Sequence, residues 1–173
     1  MEHRKIGFAF CGSFCTYSQA MEVLERVQSR YGDVLPIVSE AGAATDTRFG
    51  AAHDFMREME RICDKRVIDS LQKAEPIGPQ KLLDVLVIAP CTGSTLARLA
   101  NGFSDTSVTM AAKAMWRNGR PVVLAVSTND GLSGSAKNIA TLLDKKNVYF
   151  VPYRQCWPGY PIYWKTANVS NKS

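Results

Sequence analysis

Long hydrophobic runs are missing from this chain: no apolar stretch approaches the roughly 20 residues that a membrane-crossing helix needs, so no membrane span is predicted. Paired cysteines are missing too. Cys11, Cys15, Cys63, Cys91 and Cys156 are odd in number and scattered, and only the first two lie close together. That pattern predicts neither a disulfide framework nor a metal site, and it points to free thiols in a reducing compartment. No turn carries G-x-G-x-x-G, and none ends in G-K-[ST]. A nicotinamide cofactor or a nucleoside triphosphate held by this chain alone is therefore disfavoured, while a mononucleotide phosphate is allowed. Lysine and arginine form no cluster with interleaved aromatics. The net charge of +5 is spread along the chain, so nucleic acid is not an expected partner, whereas a phosphate or carboxylate ligand suits it.

What is present fits one globular unit. The chain has 173 residues, 46% hydrophobic and 21% charged, enough for a proper core. Met1-Glu2-His3-Arg4-Lys5 leads directly into a strand-like run without a signal-peptide cleavage pattern, which predicts a cytoplasmic protein.

The most informative stretch runs from Val85 to Asp105. Val85-Leu86-Val87-Ile88-Ala89-Pro90 is an unbroken apolar run that reads as a strand buried on both faces, the signature of a parallel sheet. The turn behind it is small and polar. Gly93 lets the backbone approach a ligand, and Thr92, Ser94 or Thr95 can cap the helix that follows. Two readings fit these residues: an anion site at a helix N-terminus, or an ordinary capped strand-to-helix turn.

Around this centre the chain alternates strands and helices. Lys5–Phe10 predicts a first strand, and the Gly12-Ser13 turn leads into a helix whose stripe is Ala20, Leu24, Val27 and Tyr31, stopped by Gly32. Asp33–Val38 is a second strand, with Pro36 marking an edge or a bulge. Ser39–Gly50 reads as a long polar loop. A helix from Ala51 carries Phe55, Met59 and Ile62 on one face, and Val67–Ala74 reads as a second short helix. After the central turn come a helix from Ser107, a strand over Pro121–Val126, the polar turn Ser127-Thr128-Asn129-Asp130, a helix over Ser135–Lys145 and a last strand over Val148–Val151. Cys91 is read either as a thiol activated by the helix N-terminus or as a buried, inert one. The predicted fold is α/β: a Rossmann-like three-layer αβα sandwich with a parallel sheet and a site built by the loops at the strand C-termini. Residues 1–152 form that domain. Residues 153–173 form a tail rich in aromatics and proline that packs over its own domain or a neighbour.

Ala89-Pro90-Cys91-Thr92-Gly93-Ser94-Thr95, continuing through Leu99-Ala100-Asn101-Gly102 to Asp105, resembles the "PASANT" region of the flavoproteins related to the flavin-dependent cysteine decarboxylases. The resemblance spans Gly7 to about Pro152. Within that family, Thr47-Arg48-Phe49-Gly50 is similar to a segment of the dipicolinate synthase B-subunit branch. It implies FMN as cofactor, contacted by Gly12, Ser13, Ser39, Ala89, Pro90, Thr92, Gly93, Ser94, Thr95, Asn101 and Asn129. Asp105 and Lys113 lie in a region the family places near flavin and a subunit contact. Arg48, the single cation of its loop, is read either as binding a carboxylate of a small dicarboxylate substrate or as a solvated or helix-pairing arginine.

The resemblance further implies a homo-oligomer that works with a dipicolinate synthase A subunit carrying NADP. Together they would oxidise dihydrodipicolinate to dipicolinate in the mother cell of a sporulating bacterium. Two features depart from the decarboxylases. The family's Pro-x-Met-Asn element retains only Asn129, and the surroundings of His53 do not match the family's histidine. These departures disfavour decarboxylation and leave a rival reading, a non-catalytic assembly subunit that kept the fold. No general base is assigned.

Overall fold

Strands form where β-branched and aliphatic residues run without a polar break, because such runs are stable only when both faces are covered. The computed structural model describes residues 4–154 and 163–164. Five of its strands are β1 (Ile6–Phe10), β2 (Val34–Val38), β3 (Val85–Cys91), β4 (Val122–Val126) and β5 (Val148–Phe150). They make one all-parallel sheet in the order β2-β1-β3-β4-β5.

Alternation along each strand divides the core in two. Ile6, Phe8 and Phe10 pack with Val34 and Val38 against helices α1 (Tyr17–Tyr31) and α3 (Ala52–Cys63). Ala9, Cys11, Leu86, Ile88 and Leu124 face the other way. They meet α4 (Leu71–Ala74), α5 (Gly93–Ala100), α6 (Ser107–Arg117) and α7 (Ala136–Leu143). Helices on both faces of a parallel sheet are the predicted three-layer sandwich.

Several elements differ from the sequence reading. The buried residues of α1 are Tyr17, Ala20 and Leu24, whereas Tyr31 is 36% exposed. A 15-residue helix is about 22 Å long and a five-residue strand about 17 Å, so the last turn overhangs the sheet. Gly32 then stops the helix in the left-handed region, φ 73°, as expected. The Ser39–Gly50 stretch is not all loop. Ser39 caps a short helix, α2 (Glu40–Ala44), by accepting from the Gly42 N–H at 3.2 Å. Of Val67–Ala74 only α4 is helical. β-branched Val67 and Ile68 stay extended, and Ile68 exchanges backbone bonds with Pro36 and Val38, covering the outer side of β2. Pro36, which lacks an N–H, thus lies on an edge strand of the five-stranded sheet. β3 runs one residue past Pro90, and its register with β4 shifts between Ile88 and Cys91.

Tyr153–Arg154 (β6) pairs antiparallel with Tyr163–Trp164 (β7), and Tyr153 packs on the larger core cluster. The remainder of the predicted tail, including Cys156, Trp157 and Tyr160, lies outside the described residues.

Ile88, 0% exposed in the central strand, and Leu132, 76% exposed, test this division of the molecule. Ile88→Ala is expected to cost about 2–5 kcal/mol in urea unfolding. Leu132→Ala is expected to stay within about 0.5 kcal/mol of the parent. Equal losses would refute the placement of β3.

Candidate functional site

In an open parallel sheet a crevice forms where neighbouring strands send their chains to opposite faces. Here β1 leads to α1 on one face and β3 leads to α5 on the other, so the crevice opens at the carboxyl ends of these two strands. An open cleft of about 540 Å³ lies there. Gly12 and Ser13 line it from the turn after β1, Thr92, Gly93, Ser94 and Ala97 from the turn after β3, and Ser127 through Asp130 from the turn after β4. Gly134, Ser135 and Asn138 close the far side.

The turn after β3 is a helix start. Thr92 is extended, and its hydroxyl accepts from the Thr95 N–H at 3.2 Å. That leaves the Gly93 and Ser94 N–H groups without intrahelical partners at the positive end of α5. The turns after β1 and β4 are tied together across it, since the hydroxyls of Ser13 and Ser127 lie 2.8 Å apart.

Asp130 is the charged group of the cleft. Thr128 Oγ1 and Ser135 Oγ each donate to its Oδ1 at 2.6 Å. Those bonds, Ser135 first and Thr128 second, hold its carboxyl below the usual carboxylate range. Gly93 makes room for this arrangement. A Cβ there would sit 2.8 Å from Ser135 Oγ, 3.0 Å from Thr128 Oγ1 and 3.4 Å from Asp130 Oδ1. The close approach that glycine permits is thus made first to the protein's own carboxylate and its two hydroxyl donors.

The structure brings Gly12, Ser13, Thr92, Gly93, Ser94 and Asn129 of the predicted set into one cleft. It does not bring the others to its lining. Thr95 is buried, its hydroxyl 3.0 Å from that of Thr92. Ala89 is buried on the face of β3 that packs toward α1 and α3, and Pro90 lies within the strand, after a cis Ala89–Pro90 bond. Ser39 is buried and occupied as the cap of α2. Asn101 ends α5, donating from Nδ2 to the Ala97 carbonyl at 2.8 Å, and lines a neighbouring cleft. Arg48 lies in the turn closed by two backbone bonds between Thr47 and Gly50. It is exposed, with its guanidinium 4.9 Å from the Phe49 ring centroid.

Sequence reasoning missed Ser127, Thr128, Asp130, Ser135 and Asn138 as lining residues. The first three had a signal, because a polar turn directly behind a buried strand lies at the same sheet end as the other two turns. Ser135 and Asn138 reach the cleft because α7 packs on α5, which no local pattern announces.

Of the two readings of Cys91, the structure supports the buried, inert thiol. Burial lifts this thiol well above its usual range and neighbouring Cys11 adds to the shift, while burial also raises Cys11 to about 11. Both are protonated and enclosed. His53 is exposed on α3 beside Asp54, at 3.3 Å, and does not line the cleft. Among the described residues no His, Cys, Asp or Glu cluster is arranged to hold a metal ion, and no helix is long and apolar enough to cross a membrane. The cleft therefore offers hydroxyls, two free amides and one carboxylate, a set suited to holding and orienting a polar ligand.

Comparison with known proteins agrees with this architecture. The family model described as Flavoprotein matches residues 1–160. The B subunit of dipicolinate synthase from Bacillus subtilis (strain 168) is 41% identical over 155 residues, which cover 90% of this chain and 78% of that protein. The crystal structure of the corresponding B subunit from Bacillus halodurans C superposes with a TM-score of 0.82 at 38% identity, covering 94% of this chain and 85% of that one. A more distant structure shares the fold: Burkholderia xenovorans DmrB in complex with FMN, TM-score 0.68 at 17% identity, covering 86% and 88% of the two chains.

The Asp130 seat has a pH signature. Its folded pKa lies below the unfolded value of about 3.9, so the stability it contributes is complete above roughly pH 5 and is lost as pH falls through the folded value. Thermal melts of the parent and of Asp130→Asn are expected to differ by a constant amount at neutral pH and to converge below about pH 4. A difference independent of pH would mean that Asp130 does not gain from its two hydroxyl donors.

Proposed function

This chain belongs to the Flavoprotein family, and from that premise we propose that it is a flavin-binding B-type subunit of a dipicolinate synthase. It would act with an NADP-binding A-type subunit to oxidise dihydrodipicolinate to dipicolinate. The observation that carries this reading is the cleft at the β1/β3 switch point, lined by hydroxyls and capped by the start of α5.

The donor chemistry fits FMN. Ser13 and Ser94 hydroxyls and the free amides of Gly93 and Ser94 suit a phosphate, and about 540 Å³ falls within the usual range of roughly 300–1,000 Å³ for small-molecule sites. The phosphate belongs on the Ser13–Ser94 side, away from the carboxylate of Asp130. On this reading Asn129, exposed in the turn after β4 and lining the same cleft, meets the rest of the ligand. Flavin, when bound, supplies a two-electron acceptor of the kind that removing a hydride and a proton from a dihydropyridine ring requires. The chain's own share is binding and orientation, which bring the ring to the acceptor and lower the entropic barrier. On the same reading the protein is an oligomer.

One observation favours a second reading. The start of α5 already faces the Asp130 carboxylate, which reduces the attraction for an added anion. A non-catalytic assembly subunit that kept the fold and lost the cofactor would tolerate this.

The visible spectrum of the purified chain separates the two. Incubation with FMN and removal of the excess is expected to leave flavin bands with the protein. Ser94→Phe, which places bulk on an exposed cleft residue without disturbing the core, is expected to lower retention at least tenfold. A colourless protein, with and without the A-type subunit, would overturn the flavin reading and establish the assembly role.

A further inference from the structure

A second cleft of about 420 Å³ adjoins the first and shares Ser94 and Ala97 with it, so the two make one groove along the exposed side of α5. The second cleft differs in chemistry from the first. Its walls are Arg98, Asn101, Phe103 and Asp105. Phe103 is 59% exposed, a large apolar face left uncovered at the groove wall. Arg98 donates from Nε to Asp105 Oδ2 at 3.3 Å, and the two side chains are 43% and 54% exposed.

Asp105 orients the guanidinium but uses only one edge of it. The two terminal nitrogens have no hydrogen bond among the described residues, and they form the fork that grips a carboxylate through two parallel bonds. Asn101 retains a free side-chain oxygen beside it, because its Nδ2 is committed to Ala97. In the same loop Ser104 accepts from Lys113 Nζ at 3.1 Å.

The two ends of the groove therefore differ: the Asp130 end carries a carboxylate held by hydroxyls, and the Arg98 end carries the Arg98–Asp105 ion pair, whose guanidinium keeps its terminal fork available beside an aromatic ring. An anionic ligand is disfavoured near Asp130, whereas beside Arg98 the Asp105 charge is offset and the free guanidinium edge can take an acid through two hydrogen bonds. A flat ring with an attached carboxylate matches both features, its face against Phe103 and its acid on Arg98. Arg48 lines neither cleft and has its guanidinium over Phe49.

We propose that the groove between Arg98 and Phe103 is the subsite for a planar ring carboxylate, with Arg98, rather than Arg48, as the residue that binds the acid. The class of ligand rests on the function proposed above. The location rests on the groove.

Isothermal titration of the full chain with pyridine-2,6-dicarboxylate, both flavin-free and after incubation with FMN, tests it, with retained FMN measured separately by absorbance. Arg98→Gln is expected to weaken dicarboxylate binding at least tenfold while retaining FMN as the parent does and melting at the parent's temperature. Arg48→Gln is expected to bind as the parent does. Equal affinity in the parent and Arg98→Gln, or no binding by the parent in either flavin state, would overturn the subsite. Because FMN is scored independently, Arg98-dependent binding by a protein that refuses FMN would remove the flavin reading and keep the subsite. FMN retention with Arg98-independent binding would remove the subsite alone.

Discussion

The structure depends on β3 being buried on both faces between β1 and β4. A strand in that position accepts only apolar side chains along its length, and Val85–Ala89 supplies them. With β3 fixed, three chain turns must emerge side by side at one end of the sheet. The helices after β1 and β3 leave on opposite faces, so the space between those turns stays open. The cleft follows from topology, and the turn residues decide its chemistry.

That chemistry has a direction. Asp130 draws its proton donors from its own turn and from the residue before α7, so one anchor fixes both Thr128 and Ser135 against Gly93. A side chain at position 93 would push these apart, which makes the glycine as much a packing requirement as a ligand requirement. The positive start of α5 stabilises the carboxylate in turn. What remains for a ligand are the hydroxyl of Ser94, the Ser13 hydroxyl shared with Ser127, and the first amides of α5, on the side away from Asp130. Farther along the same helix, Arg98 offsets the Asp105 carboxylate and leaves its terminal nitrogens available.

Much of the fold was legible because its signals are local. Pro36 marked an edge strand, Gly32 a left-handed stop, and Thr92 a helix cap, each through backbone geometry that one residue imposes. The site was legible in part. Gly12, Ser13 and Thr92–Ser94 adjoin the ends of strands recognisable by their apolar runs, so their convergence followed from a parallel sheet. Ser39 and Thr95 have equally suitable side chains, but the structure commits them to capping and to a neighbouring hydroxyl. A hydroxyl's type does not say which partner it takes. Ser135 and Asn138 were hidden because their place depends on α7 docking against α5, a tertiary event with no local pattern.

The same distinction bears on mechanism. Cys11 and Cys91 adjoin a helix start, where a thiol is activated if solvent and a cation reach it, yet both are enclosed by the core and burial holds them protonated. Desolvation outweighs the helix dipole here, since a buried thiolate loses its hydration while a dipole contributes only about 0.3–2 kcal/mol. Asp130, the one carboxylate in the cleft lining, has two donors that favour its charged form, which makes it a weak base. None of these three groups is set up as a general base. That absence agrees with the proposed function, in which aromatisation of the substrate ring supplies the driving force and the chain's share is binding and orientation.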